Sequence, residues 1–278
     1  MMKRFFAACL MMSLWLQPAV AGTLVASIHP VYLISQAVTR GIEQPVLLIP
    51  PQQDGHHIQL TPKDRQRLKQ SDFIVWIGPE YEAALSSTLQ QSPHAVAITR
   101  YAPLNRLPLR TLKGQTIANT LDPHVWLDPH NAIAIAQLIA NVRGRQFPQR
   151  AAQYQRNALT FAQQLTAVLP KPSKAPSAYW SFHDAYQYFE RSQQLSFAGS
   201  LSLDPELPPT ATQRQWLINA RPTHLTCLVS AQPINDSLLG ALKPVQPVLI
   251  DETFAQYNDF IAAWQHLSAQ LKPCKTPQ

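Results

Sequence analysis

Beyond residue 22 the chain alternates between short apolar runs of strand length and longer stretches with apolar residues at helical spacing. Leu24 to Ile28 is rich in β-formers, and Tyr32 to Arg40 follows with helical spacing. Pro45 to Ile49 is again strand-like. Thr61-Pro62-Lys63-Asp64 then opens a helix: Thr61 suits the N-cap, Pro62 the first helical position, and Asp64 the third, which makes an aspartate version of the capping box. Asp72 to Ile77 (DFIVWI) and Ala95 to Ile98 read as buried strands. Strands alternating with helices in this way predict a mainly parallel sheet covered on both faces.

The middle of the chain follows a different pattern. From Asn131 to Leu169 there is no strand signal, and Pro148 divides the stretch into two predicted helices, 131–145 and 148–169. The second carries Ala151, Tyr154, Ala158, Phe161, Leu165 and Val168 as one apolar stripe. The proline-rich segment from Pro170 to Pro176 ends it. Alternation then resumes, with a strand at Ser177 to Phe182, a helix at Ala185 to Arg191, strands at His224 to Val229 and Val245 to Ile250, and a last helix from Phe254 to Leu271. The expected fold class is therefore α/β, with two lobes, each a mainly parallel sheet flanked by helices, and a long helical segment between them. The expected division is an N-terminal lobe at 22–147, a connecting helix at 148–170 and a C-terminal lobe at 171–278.

Residues 1–21 stand outside this pattern. Lys3 and Arg4 precede an apolar run, Phe5 to Leu16, which is too short to remain as a membrane span, and Ala19-Val20-Ala21 offers small residues at the cleavage positions. The segment reads as a signal peptide cut after Ala21, which implies export and a periplasmic location. No later stretch offers 18 uninterrupted apolar residues, so the mature chain is not expected to span a membrane. Export changes the reading of the cysteines. Of three in the chain, Cys9 leaves with the leader, and Cys227 and Cys274 remain as an expected disulfide.

Composition removes several function classes. Hydrophobic residues make up 46% of the 278 and charged residues 14%, which excludes a disordered polyelectrolyte. There are only 8 glycines against 25 prolines, and no G-x-G-x-x-G, Walker loop or G-x-S-x-G elbow occurs. The net charge of +7 includes the two leader cations. The other basic residues are scattered, so nucleic acid is not an expected partner.

Four residues stand out as metal-ligand candidates by their place in the pattern. His56 lies between the strand at 45–49 and the helix capped by Thr61. His124 lies in Asp122-Pro123-His124-Val125-Trp126-Leu127-Asp128-Pro129. His183 and Asp251 each follow a predicted strand directly. Ligands of open α/β sheets bind beyond the carboxyl ends of strands. With two candidates in each lobe, a cleft between lobes would gather all four. Three imidazoles and a carboxylate suit tetrahedral Zn2+. Asp122, Asp128 and Asp184 are candidates to orient the imidazoles through the second ring nitrogen. His29, His94, His130, His224 and His266 lack such placement and read as structural or surface residues.

The segments Val25-Ala26-Ser27-Ile28-His29-Pro30, Gly55 to Asp64, Ser71 to Gly78, Asp122 to Pro129 and Phe182-His183-Asp184-Ala185-Tyr186, together with the Cys227/Cys274 pair, resemble the periplasmic zinc-binding proteins of ABC transporters (the ZnuA type). The resemblance runs from Leu24 to Cys274. It implies two α/β lobes joined by one long, rigid helix, matched here by 148–169. It also implies a metal held between the lobes at positions matching His56, His124, His183 and Asp251. The expected role is capture of Zn2+ as a transported ligand, without catalysis, by a monomer that delivers it to a zinc ABC permease in the inner membrane. Mn2+-preferring relatives usually carry a carboxylate at the position of His183. This chain departs from the family in two places. Gly55-His56-His57 stands where Pro-His is usual, which leaves His57 as an alternative first ligand. Residues 92–121, where many zinc-uptake members carry a His- and acid-rich loop, hold one histidine, His94, and no Asp or Glu. Other readings of the same residues are an Mn2+-binding protein, a periplasmic zinc chaperone or adhesin of this fold, and a zinc hydrolase. The hydrolase reading is weakened by the absence of H-E-x-x-H.

Overall fold

The structure, a computed structural model, describes residues 22–53, 55–170, 177–223, 227–271 and 274. The expected signal peptide and His224 lie outside these residues. The first lobe runs β1 (Leu24–Ala26), α1 (His29–Thr39), β2 (Val46–Leu47), α2 (Pro62–Lys69), β3 (Phe73–Trp76), α3 (Ser86–Leu89) and β4 (Ala95–Ala97). Two long helices follow, α4 (Pro129–Gln146) and α5 (Ala151–Ala167). The second lobe runs β5 (Ser177–His183), α6 (Gln187–Gln193), β6 (Leu195–Ser202), α7 (Ala211–Asn219), β7 (Cys227–Ser230), α8 (Asp236–Leu242), β8 (Gln246–Leu249) and α9 (Phe260–Gln270).

Each lobe contains a four-stranded, wholly parallel sheet. The orders are β2-β1-β3-β4 and β6-β5-β7-β8, the same topology twice. In both, the chain leaves the first strand to one side and returns to the other, which places the switch point at the ends of β1/β3 and β5/β7. The central strands are buried throughout, as a sheet covered on both faces requires: β1 is LVA and β3 is FIVW, with every residue buried. In the second lobe the side chains alternate between two clusters. Tyr179, Cys227 and Val229 join the main core, whereas Trp180 and Leu228 face a smaller one with Leu201, Leu217, Leu238 and Leu242.

The main core is continuous across the molecule. Helix α5 lies against α1 and α4: Tyr154 Oη donates to Glu43 Oε1 at 2.6 Å, and Asn157 Nδ2 donates to the carbonyls of Val38 and Arg40 at 2.9 Å. Farther along, the Phe161 ring meets Phe260 of α9, with centroids 5.5 Å apart. Arg143 of α4 is fully buried, bonded to Glu43 and to the carbonyl of Gly22, which anchors the start of the lobe. Cys227 and Cys274 form the expected disulfide, fastening the C-terminal segment to β7.

The capping box at α2 forms as read from sequence, with Thr61 accepting from the Asp64 N–H and Asp64 accepting from the Thr61 N–H. Other boundaries shift for local reasons. Pro148–Arg150 forms a separate 3-10 turn, and α5 begins at Ala151. The last helix starts at Phe260, not Phe254. Asp251 accepts N–H groups from Thr253 and Ala255 in a turn, Phe254 takes φ +58°, and Asp259 supplies the cap. Strand β6 had no place in the sequence reading. Its alternation, LSFAGSLS, is weakened by serines and by Gly199. That glycine has φ +133°, and a Cβ there would meet Leu217 at 2.5 Å.

Candidate metal centre

Two connecting segments and one strand end bring three imidazoles to one point. His56 lies in a one-turn 3-10 helix, Gly55–His57, which follows a Pro50-Pro51 segment and precedes α2. Its ring packs on Tyr81, centroids 4.3 Å apart. Gly55 permits this approach, because a Cβ at that position would fall 2.2 Å from the Tyr81 ring. His124 precedes a 3-10 turn, Val125–Leu127, and Asp128 then caps α4 by accepting the His130 N–H at 2.8 Å. His183 is the last residue of β5, at the switch point of the second sheet.

One ligand nitrogen from each of His56, His124 and His183 lies within 4.8 Å of the other two. Tetrahedral zinc with bonds of about 2.0–2.1 Å sets its nitrogens about 3.3 Å apart, so modest side-chain rotation closes the set around an ion. His57 points elsewhere, its Nε2 lying 3.4 Å from Asp204 Oδ2. The structure thus brings His56, not His57, to the cluster.

The three rings differ in support. His124 is buried, and its Nδ1 lies 2.8 Å from Asp122 Oδ1, which leaves Nε2 for an ion. Burial opposes charge on this ring, yet the hydrogen bond and charge of Asp122 outweigh it and raise the pKa. Both ring nitrogens of His183 are buried, and no side chain among the described residues bonds them. Burial, then the neighbouring His124 and His56, push its pKa well below the ordinary value. A neutral imidazole with an unused lone pair is the form a cation requires.

Asp251 stays apart from this triad. Its Oδ1 accepts from the Thr253 N–H at 2.9 Å and from Thr253 Oγ1 at 2.5 Å, and its Oδ2 accepts from the Ala255 N–H at 3.0 Å. It nevertheless lines a cavity of ≈ 530 Å³ together with His183. A second cavity, ≈ 950 Å³, opens onto all three imidazoles and is walled by Arg106, Asn119 and Thr120.

Of the three carboxylates expected to orient imidazoles, only Asp122 does so. Asp128 caps α4 and accepts from Asn105 Nδ2 at 3.0 Å. Asp184 is held by Arg110, Nε to Oδ2 at 2.6 Å and Nη2 to Oδ1 at 2.8 Å. Among the described histidines outside the cluster, His29 is buried at the start of α1, His130 is exposed beside Asp128, and His266 packs on Tyr257. Sequence reasoning missed Tyr81, Arg110 and Gln187. Each reaches the site over a long sequence distance, and no local motif marks it.

Several known proteins resemble this chain. "High-affinity zinc uptake system protein ZnuA" of Brucella abortus (strain 2308) is 28% identical over 236 residues, 69% of this chain and 70% of that protein. The protein of the same name from Yersinia pestis is 28% identical over 246 residues, 77% of this chain and 76% of that one. Among solved structures, a crystal structure of ZnuA superimposes with TM-score 0.74 at 19% identity, covering 92% of this chain and all of that one. Zn(II)-bound AdcA of Streptococcus pneumoniae gives 0.72 at 18% identity; this chain covers 59% of that longer protein. These structural likenesses establish the fold. The sequence profile of the family described as "Zinc-uptake complex component A periplasmic" matches residues 24–263, nearly the whole described chain. With that match, the chain belongs to the periplasmic A components of zinc-uptake complexes, a family of solute-binding transporter parts and not of enzymes.

Proposed function

We propose that this protein captures Zn2+ in the cleft between its lobes and delivers it, as a monomer, to the permease of an ABC transporter in the inner membrane. Residues 1–21 direct export to the periplasm and are removed. His56, His124 and His183 are the ligands. The observation that carries this reading is the convergence of their nitrogens within 4.8 Å, with the His183 ring nitrogens buried. Imidazole donors favour Zn2+ over Mn2+ or Ca2+. Asp251 is the protein's candidate for the fourth position. It shares a cavity with His183, and it reaches the ion by exchanging its Thr253 and Ala255 hydrogen bonds for the metal.

The test is metal analysis of the purified protein after exposure to mixed Zn2+ and Mn2+, followed by competition titration. One Zn2+ per chain is expected. His183→Ala should weaken binding by about a hundredfold or more, since zinc binding of about 10–16 kcal/mol is shared among a few ligands. Affinity should also fall below about pH 6–7, where imidazoles take up protons. Preference for Mn2+, or a His183→Ala variant that binds Zn2+ like the parent, overturns the reading.

A further inference from the structure

Residues 107–122 leave the first lobe and lie across the cleft onto the second. Their tip is a short hairpin: Ile117 N donates to Leu109 O and Thr111 N to Gln115 O, both at 2.8 Å. The hairpin docks on β6, where Ser200 N donates to Leu112 O at 3.0 Å. Lys113 Nζ sits 5.2 Å from the centre of the Trp216 ring.

Two cross-lobe contacts in this strap meet the carboxylates beside the metal ligands. Arg110, from the first lobe, holds Asp184 through two hydrogen bonds at 2.6 and 2.8 Å. The same guanidinium bonds Glu190 at 2.8 and 3.1 Å and lies 3.6 Å over the Phe197 ring. Asp184 immediately follows His183. In the opposite direction, Gln187 of the second lobe donates to Asp122 Oδ2 at 3.0 Å and to Pro108 O at 2.9 Å. The other oxygen of that carboxylate, Oδ1, holds the His124 ring. Tyr188 Oη adds a bond to the Asp122 carbonyl at 3.0 Å.

We infer that Arg110 and Gln187 are reciprocal positioning residues for the metal site: Gln187 of the second lobe fixes the carboxylate that faces His124 of the first, and Arg110 of the first lobe fixes, through Asp184, the strand end that carries His183 of the second. The inference rests on the three-histidine reading above. The His183 case is the stronger one, because no carboxylate or other side chain among the described residues bonds this ring. Its direction follows from where the backbone of β5 ends, and Arg110 fixes that point through Asp184. A bidentate guanidinium fork supplies both distance and angle, which a point charge does not. Gln187 works through the carboxylate that faces His124, the arrangement by which outer partners tune metal ligands. Because the two contacts run in opposite directions across the cleft, they also fix the spacing between imidazoles contributed by different lobes.

The experiment compares Arg110→Met, Arg110→Lys, Gln187→Ala and Lys113→Ala in the full mature chain. It reads Zn2+ affinity by competition, the visible spectrum of the Co2+-loaded protein, and thermal unfolding of the metal-free protein. Loss of an outer-shell partner typically weakens metal binding about 10–100-fold, and Arg110→Met and Gln187→Ala are expected in that range, with altered Co2+ spectra. Arg110→Lys should fall between parent and Arg110→Met. Lys113→Ala loosens the strap without touching either carboxylate and should leave affinity and spectrum unchanged. Should Arg110→Met fail to fold, Gln187→Ala decides. Folded variants that bind Zn2+ like the parent with its Co2+ spectrum overturn the inference, as does an equal loss from Lys113→Ala. A His183→Ala variant with parental affinity would instead overturn the ligand assignment itself, so the two failures are distinguishable.

Discussion

The N-terminal sheet runs β2-β1-β3-β4 and the C-terminal sheet β6-β5-β7-β8. Glu43 of the first lobe has a buried partner in Arg143, yet the carboxylates beside the ends of β3 and β5 are treated in opposite ways. In the first lobe, Glu82 is fully buried beside the end of β3, and one of its oxygens accepts the Gly78 N–H at 3.1 Å. No cation is among the groups that shift it. Burial raises its pKa from 4.5 to about 7, against the hydrogen bonds it accepts. In the second lobe, the Asp184 and Glu190 side chains are 11% and 17% exposed and share Arg110. Burial raises the pKa of each, and the guanidinium pulls both back toward the ionised form. The imidazoles show the same contrast. His124 has a carboxylate on its ring, whereas His183 relies on where its strand ends. Two lobes of one topology can therefore stabilise charge by unrelated means, because sheet order fixes where a strand ends and not which side chains surround it.

The largest effect expected from breaking this contrast comes from Arg110→Met. It leaves two buried carboxylates without their cation and should cost about 3–5 kcal/mol, measured by urea unfolding of the metal-free protein near neutral pH. Next is the disulfide, a feature of the second lobe alone. Replacing Cys227 and Cys274 with Ala releases a 47-residue span and should cost about 2–4 kcal/mol. If reduced and oxidised parent protein unfold at the same urea concentration, that estimate fails.

Glu82 tests the first lobe through pH. Below about 4.5 the carboxyl is protonated in folded and unfolded chains alike. Between 4.5 and about 7 only the unfolded chain releases its proton, so stability is full below 4.5 and declines as pH rises to about 7. Glu82→Gln should remove roughly 3 kcal/mol of that decline, given the rise from 4.5 to about 7 at 1.36 kcal/mol per pKa unit. Unfolding curves at pH 4.5 and pH 8 provide the check; an unchanged pH slope in Glu82→Gln would refute the assignment. The smallest effect is expected at the α2 cap. Thr61→Ala removes an exposed capping box and should cost about 1 kcal/mol without changing zinc affinity, which chemical denaturation and competition titration will show.

How far the chain could be read in advance depends on the range of the interaction. The Thr61/Asp64 cap, the DFIVWI strand and the break at Pro148 are fixed within a few residues, and all were legible. The three histidines were legible as candidates because each lies at or beyond the end of a strand or in an unusual Asp-Pro segment. Asp251 is a candidate on the same ground, and the local turn that engages both its oxygens is visible only once Thr253 and Ala255 are placed. Strand β6 escaped notice because Gly199 and its serines weaken the alternation.

The sequence by itself determined the parallel two-lobed architecture, the Cys227/Cys274 pair and three histidines as the candidates for a site. Hydrophobic period, caps and residue chemistry are local properties that need no partner. Tertiary structure alone decided that His56 and not His57 faces the cleft, that Asp184 serves Arg110 and not an imidazole, and that Gln187 reaches Asp122 across 65 residues. Such contacts form only after the lobes are packed, since each joins side chains whose separation in sequence carries no signal of their separation in space.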